Sequence, residues 1–229
     1  MLDYNFSRET TEVDRGLSFF DAIYGVAITL LIVGIDPPAA DEWASWTTLV
    51  ESGVLDQLVT GLISFAVITS FWKVNHSVMA RVVRLDRAII NANLVAAAFV
   101  VLIPFTSSAL GEPGVSDLAW PTAIYAGVIV LASLAQRAIY VVAKSRGVLA
   151  PDPEPRTTAW AEFAGSLITP VVFLASIPVA FQIHSDAARI SWLSLVVLAP
   201  LAHLLIKHFA VSSNNRTGEA GGIGPASAP

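Results

Sequence analysis

The chain contains no cysteine, only two methionines, and Asp, Glu, Lys and Arg together make up just 14% of its 229 residues. Without cysteine there are no disulfides and no thiolate metal sites, and the redox compartment leaves no mark. The scarcity of charge excludes an ordinary soluble domain, which carries about 25% charged residues. Catalytic signatures are missing too: there is no Walker motif, no His-Glu-x-x-His and no Gly-x-Ser-x-Gly. No stretch outside the apolar runs is large enough to hold an enzyme site, so no enzymatic activity is expected. Nor does anything call for a cofactor, a bound metal or a nucleic-acid partner. A Thr-Val-Gly-Tyr-Gly filter loop and an Arg-rich voltage-sensing helix are also absent. The N-terminus lacks the basic start of a signal peptide and instead carries Asp3, Glu9, Glu12 and Asp14. The first apolar run is therefore expected to be retained.

What is present is apolar. Hydrophobic residues make up 55% of the chain and the mean hydropathy is +0.66, which puts it in the membrane class. Six apolar segments stand out, near 16–36, 54–74, 88–111, 118–143, 158–183 and 189–210. Each is long enough to cross about 30 Å of hydrocarbon as a helix. Short linkers predict one all-α, polytopic domain of six transmembrane helices over residues 1–211. Residues 212–229, rich in Gly, Ser, Asn and Pro, predict a disordered tail. The net charge of −5 says little, because the charges are segregated by side. With both termini cytoplasmic, the inner side holds Arg8, Arg15, Lys73, Arg81, Arg84, Arg87, Arg137, Lys144, Arg146, Arg156, Lys207 and Arg216. The outer side holds Arg189 alone, a strong positive-inside pattern that an odd number of spans would spoil. All six tryptophans fall near segment ends, as an aromatic belt requires. Pro104, Pro121, Pro170, Pro178 and Pro200 are expected to interrupt spans.

The first segment carries unusual chemistry. Gly25, Val26, Thr29, Val33 and Asp36 share one face at helical spacing. Such a narrow, mostly apolar stripe suits helix packing through small residues, or a hydrophobic constriction in a pore. Asp21 sits among apolar residues with Arg15 six positions earlier. The two can form an ion pair that pins the helix, or serve a proton or ion relay. Acidic residues on the outer side, Asp36 among them, can concentrate cations at a mouth or simply reflect the lack of bases there. Between the second and third segments, Lys73, His76, Arg81, Arg84 and Arg87 form a basic connection that sets topology. His76 either tunes a gate or makes an ordinary hydrogen bond. Asn91 and Asn93 enter the third helix, where buried amides would bridge helices.

These residues carry a resemblance. The first helix resembles the transmembrane-protein-175 family of potassium channels, in its prokaryotic single-repeat form. The family motif is an Arg, then Phe-Ser-Asp, then Ala-Ile-x-x-Thr-Leu-Leu. Arg15, Phe19, Asp21, Thr29, Leu30 and Leu31 occupy those places in register. Trp72 and His76, Arg84 and Asp86, Asn93 and Leu94, and Pro104 and Phe105 match a second stretch. The matches cover about the first half of the chain. The family's serine is Phe20 here, which alters the polar network around Asp21. The resemblance implies a homotetramer in the plasma membrane, lined by helix one around a central pore and permeable to potassium. By register, the pore would be lined at Val26, Thr29, Leu30 and Val33, and it decides the stripe in favour of a pore. The expected function is a potassium-permeable cation leak channel whose partners are potassium, the lipid bilayer and further copies of itself. A proton-coupled secondary transporter using Asp21, or a non-conducting scaffold, are the alternatives; no internal repeat of the transporter kind is evident.

Overall fold

Apolar runs become helices where nothing in them competes for the backbone, and their ends are set by caps. The computed structural model describes residues 5–7, 10–112, 114–115, 117–150 and 167–195. After a short strand β1 (Asn5–Ser7), helix α1 spans Thr11–Val33, with Glu12 and Asp14 in its first turn where the dipole favours acids. A 3₁₀ turn, Glu42–Ala44, leads to α2 (Trp46–Glu51), whose Ser45 and Thr48 form a reciprocal capping box. Helix α3 (Val54–Ala80) starts after Gly53, whose φ of 79° suits glycine. Strand β2 (Arg84–Asp86) runs straight into α4 (Arg87–Gly111), capped by Asp86 Oδ1 accepting from the Ile89 amide at 3.1 Å. Then follow α5 (Ala119–Ser145), α6 (Ile168–Gln182) and α7 (Ser185–Trp192).

Among the described residues, α1, α3, α4 and α5 are long and apolar enough to cross a membrane. They run alternately up and down, so one end of the bundle collects the basic connections and the other the acidic ones. Helix α1 packs on α3 and α4, α4 on α5, and α5 on α6. The central core joins Tyr24, Ile68, Val100, Ile103, Ile129 and Phe173 from five helices. A second cluster at the basic end gathers Val13, Met79, Leu85, Ile89, Ile139 and Val148.

Several expectations are changed. The fold is mostly helical rather than all-α. At the basic end β1 pairs antiparallel with β2, Phe6 opposite Leu85, and Val82 bridges to Leu149 beyond α5. The fifth expected span contributes α6, and its first part, 158–166, lies outside the described residues. The start of the sixth falls in α7, which ends at Trp192. Residues 196–211, the tail at 212–229 and Trp160 lie outside the described residues. Trp192 is a core residue rather than part of a belt. It stacks on Tyr125 and Phe173, and its indole N–H donates to Ser176 Oγ at 2.9 Å, so it needs no interface. Pro121 and Pro170 do not interrupt helices, because each sits in a first turn where no amide is needed. Pro104 and Pro178 do lie inside helices.

Candidate functional site

Helix α1 has two sharply different faces. Phe20, Tyr24, Ala27 and Leu31, spaced by three and four, turn into the bundle; Tyr24 is 1% exposed and Ala27 0%. The opposite face carries Val26, Thr29, Leu30 and Val33, and none is covered by its own chain: Val26 is 56% exposed and Val33 74%. At about 100° per residue, these four lie roughly 200°, 140°, 240° and 180° round the helix from Tyr24. Gly25 faces open space, with nothing within 4 Å of where a Cβ would stand. The Thr29 hydroxyl donates to the Val26 carbonyl at 2.8 Å. Its hydrogen is thus held along the helix, and its oxygen lone pairs are left for whatever passes the uncovered face. Asp36, exposed, lies just beyond the end of α1 at the acidic end, its amide donating to Gln57 Oε1 at 2.9 Å.

Arg15 and Asp21 do not pair. Six residues apart, they lie about 120° apart on the helix, outside the spacings at which side chains meet. Asp21 Oδ1 instead accepts from the indole N–H of Trp72 on α3 at 2.9 Å. Trp72 in turn stacks at 5.5 Å on His76, which is exposed. Phe19 is exposed, whereas Phe20 turns inward and is buried. The phenyl ring that replaces the family's serine therefore fills core and does not crowd the Asp21 carboxylate.

The second set of expected residues divides. Asn93 is buried in α4, and its Oδ1 accepts from Asn75 on α3 at 2.7 Å. Asn75 also reaches Gln136 Oε1 on α5 at 3.4 Å, and Gln136 Nε2 donates to the hydroxyl of Tyr24 on α1. One chain of amides thus ties all four long helices together. Asn91, by contrast, is exposed. Asp86 belongs to the basic end: its Oδ2 accepts from Arg146 Nε at 2.8 Å. Burial pushes its carboxyl up, but the Arg146 hydrogen bond, the backbone amides of Ile89 and Ala88 and the guanidinium charge outweigh this and hold it below the usual range. Arg84 is exposed in β2, opposite Ser7. The inner-side motif therefore fixes architecture at three separate points.

Sequence reasoning missed Tyr24, Asn75 and Gln136. The signal was available: an amide inside an apolar run must find a partner. It also missed a hydroxyl group of three near the acidic end, where Ser64 Oγ meets Ser107 Oγ at 2.8 Å and Tyr125 Oη at 2.9 Å. Among the described residues, no cluster of His, Asp and Glu suited to a metal occurs.

Comparison with known proteins accounts for the same region. Residues 15–104 match the profile of the family described as endosomal/lysosomal potassium channel TMEM175. A potassium channel of Streptomyces collinus is 31% identical over 142 residues, covering 56% of this chain and 63% of that protein. The match thus spans less than two thirds of that relative's length. The crystal structure of a lysosomal potassium-selective channel TMEM175 homolog from Chamaesiphon minutus shares the fold, with a TM-score of 0.59 at 22% identity over 88% of this chain and 99% of that one. The matched segment contains the α1 stripe, the Asp21–Trp72–His76 group and the Asn75–Asn93 bridge, so over this part of its length the chain is similar to the TMEM175 potassium channels.

Proposed function

We propose that this chain is one subunit of a homotetrameric, potassium-permeable cation leak channel of the plasma membrane, with α1 from each copy lining a central pore. The observation that carries this reading is the uncovered face of α1. A helix whose back is locked into its own bundle and whose front presents Val26, Thr29, Leu30 and Val33 is built to face something other than its own chain. The names of the relatives, a potassium channel and a potassium-selective channel homolog, support the choice of ion.

The mechanism follows from the stripe. Val26 and Val33 form apolar rings roughly 10 Å apart along the axis. A cation crossing such a ring sheds water where few dipoles replace it, which slows passage. Thr29 lies between the rings, and four copies place four hydroxyl oxygens around the axis. Because each hydroxyl hydrogen is engaged by the Val26 carbonyl, the lone pairs face the ion. Weakly hydrated potassium exchanges water for such oxygens more readily than sodium does, so selectivity is expected but modest. Asp36 at the acidic end gathers cations at the mouth.

Reconstituted into liposomes, verified tetramers should pass potassium down its gradient without ATP. Thr29→Val should lower the preference for potassium, and Val26→Ala should raise conductance. Flux no greater than that of empty liposomes overturns the reading. Saturable flux that requires a proton gradient would mark a coupled transporter instead.

A further inference from the structure

A pore lined by one helix depends on that helix's rotation about its own axis, and this chain holds that rotation by an unusual device. The buried face of α1 is apolar apart from Tyr24, and apolar contacts resist rotation only through shape. Among the described residues, the bond from Gln136 Nε2 to the Tyr24 hydroxyl is the one side-chain hydrogen bond joining that buried face to another helix. Tyr24 is 1% exposed and Gln136 3%. Gln136 is itself held, through Asn75 and Asn93, to α3 and α4, and Asn93 Nδ2 donates back to the Ile89 carbonyl at 3.3 Å. The anchor is therefore a fixed point of the bundle and not one mobile side chain. Tyr24 also stands diametrically opposite the centre of the Val26–Val33 stripe. The other ties on α1 differ in kind: Asp21–Trp72 lies on an exposed surface, and Gly34–Ser108 is at the far end.

We infer that the Tyr24–Gln136 pair is the positioning element that sets which residues of α1 face the pore. This rests on the pore reading above. Removing the bond leaves α1 packed but free to settle at more than one rotation, so the Val26 ring loses its definition. The hydroxyl on Tyr24 and the amide on Gln136 act on permeation through α1 and touch no ion themselves.

The absence of cysteine makes the test direct, since introduced thiols have no background. Val26→Cys probes the stripe; Ile23→Cys and Gly25→Cys probe its two flanks. Each is placed in the full-length parent and in the double variant Tyr24→Phe/Gln136→Leu, and modification by a charged methanethiosulfonate is followed as block of potassium current. The double variant removes both members of the pair, and Asn75, which loses its 3.4 Å contact to Gln136, keeps its 2.7 Å bond to Asn93, so assembly should match the parent. The parent should show fast block at Val26→Cys and slow block at the flanks. In the double variant that contrast should shrink about tenfold, a change on the scale of one lost buried hydrogen bond, and the preference for potassium should fall with it. Tyr24→Phe alone, which keeps the ring, should shift the contrast the same way. An unchanged contrast in assembled variants overturns the positioning role while leaving the pore reading intact. Loss of assembly in both variants also overturns it, because the pair is then a requirement of the fold. No block at Val26→Cys in the conducting parent overturns the pore reading and the inference together.

Discussion

The two ends of the helical bundle solve the same problem with different groups. Towards the basic end, buried amides of Asn75, Asn93 and Gln136 link α3, α4 and α5, and extend to α1 through Tyr24. Towards the acidic end, the hydroxyls of Ser64, Ser107 and Tyr125 link α3, α4 and α5 and leave α1 out. There α1 is held by close approach instead: Ser108 Oγ donates to the Gly34 carbonyl at 3.2 Å, and a Cβ on Gly34 would stand 2.9 Å from Ser108 Cβ. An amide both donates and accepts at opposite edges, so it can be a link in a chain across four helices. The three hydroxyls meet only at Ser64 and reach no further helix. The proposed pore helix is thus tied on one side of its constriction through a buried side chain, Tyr24, and on the other through the backbone of Gly34 in close approach to Ser108.

The comparison predicts unequal damage. Asn93→Leu should be the most harmful change, since it takes the 2.7 Å acceptor from a buried amide at the centre of the chain of links; about 3 kcal/mol is expected. A large fall in the unfolding midpoint and in yield of assembled protein would show it, and parent-like stability would mean the amides are not the principal tie. Gly34→Ala should cost about 2 kcal/mol by overpacking against Ser108. Ser108→Gly, placed in the same chain, should recover most of that loss if the clash is the cause. Ser64→Ala removes two hydroxyl bonds and should cost about 1.2 kcal/mol, taking the typical worth of a hydrogen bond between helices in a membrane for each. A loss as large as that of Asn93→Leu would erase the distinction between the two ends.

The smallest effect concerns acid. Asp86 has a lowered folded-state pKa, so its stabilisation is present above its unfolded value, near 3.8, and is lost as the pH falls through the folded value. Unfolding of the parent should therefore become easier below about pH 3.8. Asp86→Asn should be less stable at neutral pH and should lose that component of the acid dependence, as thermal melts across pH would report.

The sequence displayed the long helices, the charge segregation and the α1 stripe, because each is a periodic or compositional property of a contiguous stretch. It displayed Asp21 and Asn93 as polar residues in apolar runs without naming their partners. Arg15 looked like the partner of Asp21 because it was near in sequence; the indole that takes its place comes from α3. Trp192 looked like a belt residue until Ser176, on the preceding helix, satisfied its N–H within the core. Strand β1 was illegible, since three residues form a strand only when a partner arrives from far along the chain. The resemblance turned the stripe from a packing face into a pore face and left the Tyr24–Gln136 anchor unseen, because Gln136 lies beyond the matched residues.

That strand has a consequence for biogenesis. Asn5 pairs with Asp86, and the segment between them contains α1 and α3. A chain made from its N-terminus cannot close this pair until the second long helix and the turn after it have left the ribosome. Until then the first residues wait without a partner, and closing so long a loop is slow relative to forming helices. Pairing of β1 with β2 is thus a late event that records the completed threading of the first two long helices, and a bulky fusion placed at the N-terminus would meet that event and not the earlier insertion of α1.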